Sequence, residues 1–315
     1  MKKIISVIAF AALLAGAASC NKAAEAPRAE QEVAFRIEAG SALTKAISDG
    51  LQTNQLYYVV FKQDAAGTKT TVEATVSNIT FPYNLSLKLA KGFSYKVFFF
   101  AQNTALQAYT ITTANGYSAI LEADYSKIAT GNEAADAFYA YKDITVSGAL
   151  NETVTLRRAI AQVNVGGDDY SEFAATAPSA LGTVTVSYKD IPSKVQLFDG
   201  SVLATTGVEA NVNFAAVASP MTDPDILTVG SATYKYLSMN YVLAPRGADN
   251  YLFDASYTFK AADETVVSSF NVPNVPVQMN HRTNILGQIL TGTAQFNIVI
   301  DPDFFDPDFQ VTPTF

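Results

Sequence analysis

Apolar and polar residues trade places at every second position in one short run after another along this chain. Val33, Phe35 and Ile37 alternate with Ala34, Arg36 and Glu38. Tyr57, Val59 and Phe61 share one face of 55–62, and Leu85, Leu87 and Leu89 share one face of 84–89. A period of two belongs to a β-strand with one face in a core and the other in water. Residues 95–101 form a nearly continuous apolar run instead, the mark of a strand covered on both faces. The same reading predicts strands over 70–77, 138–146, 153–156, 159–165, 183–188, 195–198, 212–216, 235–243, 251–260, 265–272 and 296–300. Short strands with turn residues between them indicate sandwiches or barrels. Helices do not alternate with strands, so a doubly wound fold is excluded. Residues 122–137 are rich in alanine and poor in β-branched residues, and predict a short helix or a long loop.

The N-terminus carries a different signal. Lys2 and Lys3 precede an apolar run from Ile4 to Leu14, followed by Ala15-Gly16-Ala17-Ala18-Ser19 and then Cys20. The run is too short to span a bilayer and reads as a signal peptide. Cys20 is the sole cysteine of the chain, so no disulfide can form within it. Ala17-Ala18-Ser19-Cys20 resembles the cleavage site of a bacterial lipoprotein, in which the thiol is acylated. Several acyl chains on one residue hold a protein to a membrane without spanning it, at about 0.8 kcal/mol per buried methylene. The expected organisation is a signal peptide over 1–19, a lipidated tether over 20–32, one β-sandwich over 33–158, a second over 159–300, and an acidic tail over 301–315. Lengths of that order suit two ordinary domains.

Hydrophobic residues make up 49% of the chain and charged residues 16%, which suits packed cores and not a disordered chain. Taking Lys2 and Lys3 from 21 basic residues leaves 19 against 29 acidic ones, a net charge of −10. Nucleic acid is therefore not an expected partner. Hydrolytic triads need an imidazole base, and His281 is the single histidine. There is no G-x-S-x-G elbow, glycine-rich phosphate loop or H-E-x-x-H, so the expectation is a protein that is not an enzyme and carries no cofactor. Asp301, Asp303, Asp306 and Asp308 could gather around calcium; an exposed acidic tail is the simpler account, and no metal site is expected. The absence of tryptophan weakens a glycan-binding reading, which stays as the alternative: a surface-exposed lipoprotein that captures glycans.

Two segments bear a family resemblance. One runs from Val154 to Val165 and contains Arg157-Arg158 between two strands. The other is Asn280-His281-Arg282-Thr283-Asn284, continuing to Thr291 and followed by 296–301. With the lipoprotein signal and the length, the chain resembles the fimbrillin-like lipoproteins of Bacteroidales, the subunits of type V pili. The resemblance implies an all-β protein of two tandem, transthyretin-like β-sandwich domains. It implies export to the outer membrane as a lipoprotein, a place at the cell surface or in a fimbrium, other fimbrial subunits as partners, and adhesion to a host or bacterial surface ligand. In that family a trypsin-like protease removes the first strand, and a neighbour's strand fills the groove. Carried onto this chain, the removable strand is the one holding Val33, Phe35 and Ile37. The processing candidates are Lys45, just beyond it, and Arg36, inside it and shielded by pairing. A cut at Arg28 would release the lipid and leave the groove filled. The strand offered to a neighbour would hold Phe296, Ile298 and Ile300. The same residues could instead complete the second domain.

If Cys20 carries the anchor, Cys20→Ala moves the protein from the membrane to the soluble fraction, and a clickable palmitate analogue labels the parent but not the variant. Equal partitioning of the two would refute the anchor.

Overall fold

The computed structural model describes residues 29–39, 52–64, 67–222, 225–247 and 250–301. Cys20, Arg28, Lys45 and the acidic tail beyond Asp301 lie outside the described residues.

The strands of the first half are β1 (Glu30–Ala39), β2 (Gln55–Asp64), β3 (Gly67–Ser77), β4 (Tyr83–Ala90), β5 (Ser94–Gln102), β6 (Tyr109–Ala114), β7 (Ser118–Ala123), β8 (Phe138–Thr145) and β9 (Leu150–Arg158). A single 3-10 turn, Glu133–Ala135, lies between β7 and β8. Then come β10 (Ala161–Gly167), the helix α1 (Tyr170–Thr176), β11 (Leu181–Lys189), β12 (Pro192–Gln196), β13 (Val202–Thr205), β14 (Asn211–Asn213), β15 (Val217–Ala218) and β16 (Ile226–Val229). The chain continues through β17 (Ala232–Val242), β18 (Tyr251–Ala261), β19 (Val266–Val277), β20 (Arg282–Gln288) and β21 (Gln295–Asp301). The molecule is all-β, as the alternation predicted.

Seven strands form one path, in the order β3-β2-β5-β8-β9-β1-β4. Its narrowest link is β8 to β9, joined at two positions, Phe138 opposite Arg158 and Tyr139 opposite Arg157. There the sheet turns over on itself. Flat strands sit about 4.8 Å apart, so β1 and β5, three steps apart, would be about 14 Å away from each other. The rings of Phe35 on β1 and Phe99 on β5 instead meet edge-to-face at 5.4 Å. The layer β9-β1-β4 thus covers β3-β2-β5-β8 and encloses a core of Val33, Phe35, Ile37, Leu56, Val60, Leu87, Val97 and Phe99, among others.

The opposite face of β2 and β5 is also covered. Val59, Phe61, Phe98 and Phe100 belong to a second and larger core shared with the rest of the chain. This double burial explains the unbroken apolar run of β5. A four-stranded sheet, β13-β12-β7-β6, draws strands from both halves; Lys194, Val195 and Gln196 pair with Glu122, Leu121 and Ile120. Beyond it, β16-β17-β10-β20-β21 and β14-β11-β18-β19 form two five- and four-strand layers, with β15 added beside β11.

The two halves repeat one arrangement. In the first, β1 lies between antiparallel β4 and parallel β9. In the second, β10 lies between antiparallel β17 and parallel β20. The first strand of each half is therefore interior, held by a ladder on each side.

Phe198 fastens the halves. The alternation placed it at the end of a strand over 195–198, but β12 stops at Gln196 and Phe198 turns out of the sheet. Its ring lies 5.2 to 6.1 Å from those of Tyr141, Phe98, Phe61 and Tyr117. Arg246 donates to its carbonyl oxygen and to Tyr139 Oη. Gly200 makes the tight turn possible: its φ is +80°, and a Cβ there would meet the Arg246 backbone nitrogen at 2.8 Å. Phe198→Ala should cost about 2–3 kcal/mol in a urea titration, while Leu203→Ala, at a 50% exposed position, should stay within about 0.5 kcal/mol of the parent.

Candidate assembly site

The first strand is deeply seated in the first half. Val33, Phe35 and Ile37 are each 0–1% exposed. Their backbone runs from Val33 opposite Leu87 to Ile37 opposite Tyr83 on one side, and from Val33 opposite Leu150 to Ile37 opposite Val154 on the other. The alternation in the sequence found both the strand and its buried face. Arg36 points outward and pairs with Glu38, Nε to Oε1 at 2.8 Å. Its backbone sits in both ladders, opposite Asn84 and Thr153, so a protease would have to unzip the strand to reach it.

At the other end of the chain, β21 pairs with β20 from Gln295 opposite Gln288 to Asp301 opposite Arg282. Phe296 and Ile300 are half-buried, whereas Ile298 is 36% exposed. The Phe296 ring lies 5.5 Å from that of Phe270 on β19. In this structure the three residues complete the second half, on an edge with little cover.

The two motifs singled out in the sequence meet between these strands. Arg158, the last residue of β9, is 1% exposed. Its Nε donates to Asp136 Oδ1 at 2.8 Å and Oδ2 at 2.9 Å, and its Nη2 lies 2.7 Å from Oδ2. The guanidinium rests 4.9 Å from the centre of the Phe138 ring. The Arg158 N–H donates to Asn280 Oδ1, the Asn280 N–H to the Ile160 carbonyl, and the Gln162 N–H to the His281 carbonyl. Segments some 120 residues apart are thereby tied by backbone and side chain. Arg282, next in the second motif, opens β20. Burial first, and then the like charge of Arg158, pull its guanidinium below the ordinary value; Tyr236 and Asp301 act the other way. His281 Nδ1 lies 2.8 Å from the Met279 carbonyl oxygen within the turn before β20.

Sequence reasoning did not find the surface around the Phe198 turn. On one side lies an open cleft of about 570 Å³ whose lining includes Asp199, Ser201, Arg246, Asn250 and Tyr251. On the other, Lys96 Nζ sits 4.6 Å from the Tyr141 ring centre and pairs with Asp143. Tyr141, at 37%, is the one large aromatic that is exposed among the described residues. No group of three or more potential metal ligands occurs among the described residues; of the four tail aspartates only Asp301 is among them.

The family described as one of unknown function, DUF6562, matches residues 21–314. No curated protein matches the sequence. Among solved structures, a candidate cell-adhesion protein of Bacteroides ovatus shares the fold at a TM-score of 0.52 and 11% identity, over 87% of this chain and 98% of that one. The tip fimbrial protein Mfa3 of Porphyromonas gingivalis, with a C-terminal truncation, aligns at a TM-score of 0.46 and 13% identity, covering 86% of this chain and 99% of that chain. The fimbrial anchor protein Mfa2 of the same organism aligns at 0.43 and 12%, covering 82% and 90%.

Removing one partner of a buried ion pair strands the other charge, at about 3–5 kcal/mol. Asp136→Ala should lose that much stability in urea, and the double replacement Asp136→Leu with Arg158→Met should recover most of it.

Proposed function

This chain belongs to DUF6562, a family of unknown function, and on that premise we propose that it is a structural subunit or anchor of a surface fimbria, tethered through Cys20 to the outer membrane and assembled by strand exchange. The observation that carries the reading is the seat of β1. It is the first strand among the described residues, yet it occupies an interior position, with ladders to β4 and β9. Removing it would leave two unpaired strand edges and a trough that had held Val33, Phe35 and Ile37. Each of those side chains contributes about 1.5–3 kcal/mol when buried. A strand from a neighbouring subunit would satisfy the backbone and refill the trough at once.

The donor in this proposal is β21. Phe296, Ile298 and Ile300 have the same i, i+2, i+4 spacing as Val33, Phe35 and Ile37. The cut that frees the groove falls at Lys45, after β1, because Arg36 is locked in two ladders. A fold shared with a candidate cell-adhesion protein of a Bacteroides species fits a place at the cell surface. The reading is structural and not catalytic, and adhesion is the activity it implies. Glycan capture is the weaker account, because it calls for clustered exposed tyrosines and Tyr141 stands alone among the described residues.

Limited trypsin digestion with N-terminal sequencing and native sizing tests the proposal. Cleavage after Lys45 should release β1 and produce a ladder of oligomers absent before digestion. Cleavage confined to Arg28, with no species larger than before, would overturn strand exchange.

A further inference from the structure

The sheets of this molecule end in strands that mostly carry a guard against pairing with another chain. β13, β14 and β16 run to four residues or fewer. β19 holds Pro273 and Pro276 and shifts register against β18. β3 faces a register shift at Val60 and Phe61 and carries Lys69 and Glu73. β4 presents Lys88 to solvent. On β6, Thr113 meets the Tyr57 hydroxyl.

β21 carries little of this protection, its one charge being Asp301 at its last position. It is seven residues long, its ladder with β20 runs without a shift, and it lacks proline, lysine and arginine. Ile298 and Val299 are 36% and 38% exposed. Successive strand residues point to opposite faces, so β21 is exposed from Gln295 to Val299 on one face and, on the other, at Ile298 between the half-buried Phe296 and Ile300. Among the described residues its one ladder is that to β20.

We infer that the outer edge of β21 pairs with β21 of a second copy, antiparallel, about a two-fold axis at Ile298. The strand's own order supports this partner. In Gln295-Phe296-Asn297-Ile298-Val299-Ile300-Asp301, that axis puts Phe296 opposite Ile300, Ile298 opposite itself, Asn297 opposite Val299 and Gln295 opposite Asp301. Phe296, Ile298 and Ile300 of both copies fall on one face, and Val299 lies on the other beside Asn297. The one charge of the strand meets an amide and not a like charge. A two-fold interface requires such self-complementarity, and cross-strand pairs of apolar β-branched and aromatic residues stabilise it. The five-strand layer of each copy becomes half of a ten-strand sheet. The contact is closed, so it makes a dimer and not a filament. It needs no proteolysis and stands apart from the fimbrial reading, although it would occupy the strand that reading assigns as donor.

The test uses the undigested chain carrying Cys20→Ser. Sedimentation velocity should show a dimer. Ile298→Lys and Val299→Lys, both at exposed positions, should each abolish it while the thermal unfolding midpoint stays near that of the parent. In the same background Ile298→Cys should cross-link across the axis on mild oxidation, Asn297→Cys should not, and the pair Asn297→Cys with Val299→Cys should. A monomeric parent, a dimer that survives both lysine variants, a concentration-dependent polymer in place of a dimer, or equal cross-linking of Ile298→Cys and Asn297→Cys would each overturn the inference.

Discussion

The ion pair between Arg158 and Asp136 is the point on which this architecture turns. Both side chains are taken out of water, at a cost that their attraction repays only with good geometry and full hydrogen bonding. The fork of Arg158 supplies that geometry, with Nε and Nη2 directed at one carboxylate. Arg158 ends β9, the strand parallel to β1, and it stands at the two-residue link where the seven-strand path folds over. Asp136 closes the segment leading into β8, and Asn280 reaches the Arg158 backbone from the turn before β20. One buried pair therefore fixes the corner of the first sandwich and orients the second half against it. An apolar replacement could match its stability; what the pair adds is a single permitted arrangement of three converging segments.

Around this corner, the molecule is organised by strands that are covered on both faces. β2 and β5 lend alternate residues to two different cores, and this makes the halves hard to separate. Phe198 and the β6, β7, β12 and β13 sheet extend the same join. By contrast, the strands at the two ends of the described chain are held very differently. β1 has two ladders and a fully buried face. β21 has one ladder among the described residues and only partial cover. An assembly built on moving strands would draw on that asymmetry, with a deep seat at one end and a loosely covered strand at the other.

Much of this was legible in the chain itself. The alternation at 33–38 and 84–89 located β1 and β4 and the faces they bury, because a half-buried strand imposes a period of two whatever its partners are; at 55–62 it located β2 but only one of its two buried faces, since Leu56, Tyr58 and Val60 are buried on the other. The unbroken run at 95–101 announced double burial. Other elements were not legible. The hairpin of β6 and β7 has mixed, threonine-rich faces, and its pairing with β12 comes from a segment some 75 residues away. β20 was noticed as a motif and not as a strand, since Arg282, Thr283 and Asn284 look like loop residues until their polar atoms find partners inside the protein. The helix α1 is two turns long, too short to set up a helical period. Arg157-Arg158 was read as a basic pair at a junction, and nothing local says that one of the two is buried against Asp136.

The sequence by itself thus determined the class of fold and strands that bury one face, and it supplied the expectation of an exported, acylated N-terminus and a family resemblance carried by two short motifs. These depend on near neighbours: on residues two apart along a strand, or on the order of charge, apolar run and cysteine. Only the tertiary structure decided that β1 is interior, that the two motifs meet, that Phe198 leaves its strand to fasten the halves, and that β21 keeps a lightly guarded edge. Each of those is a relation between segments tens to hundreds of residues apart, and a period of two says which way a side chain points but not what it will meet.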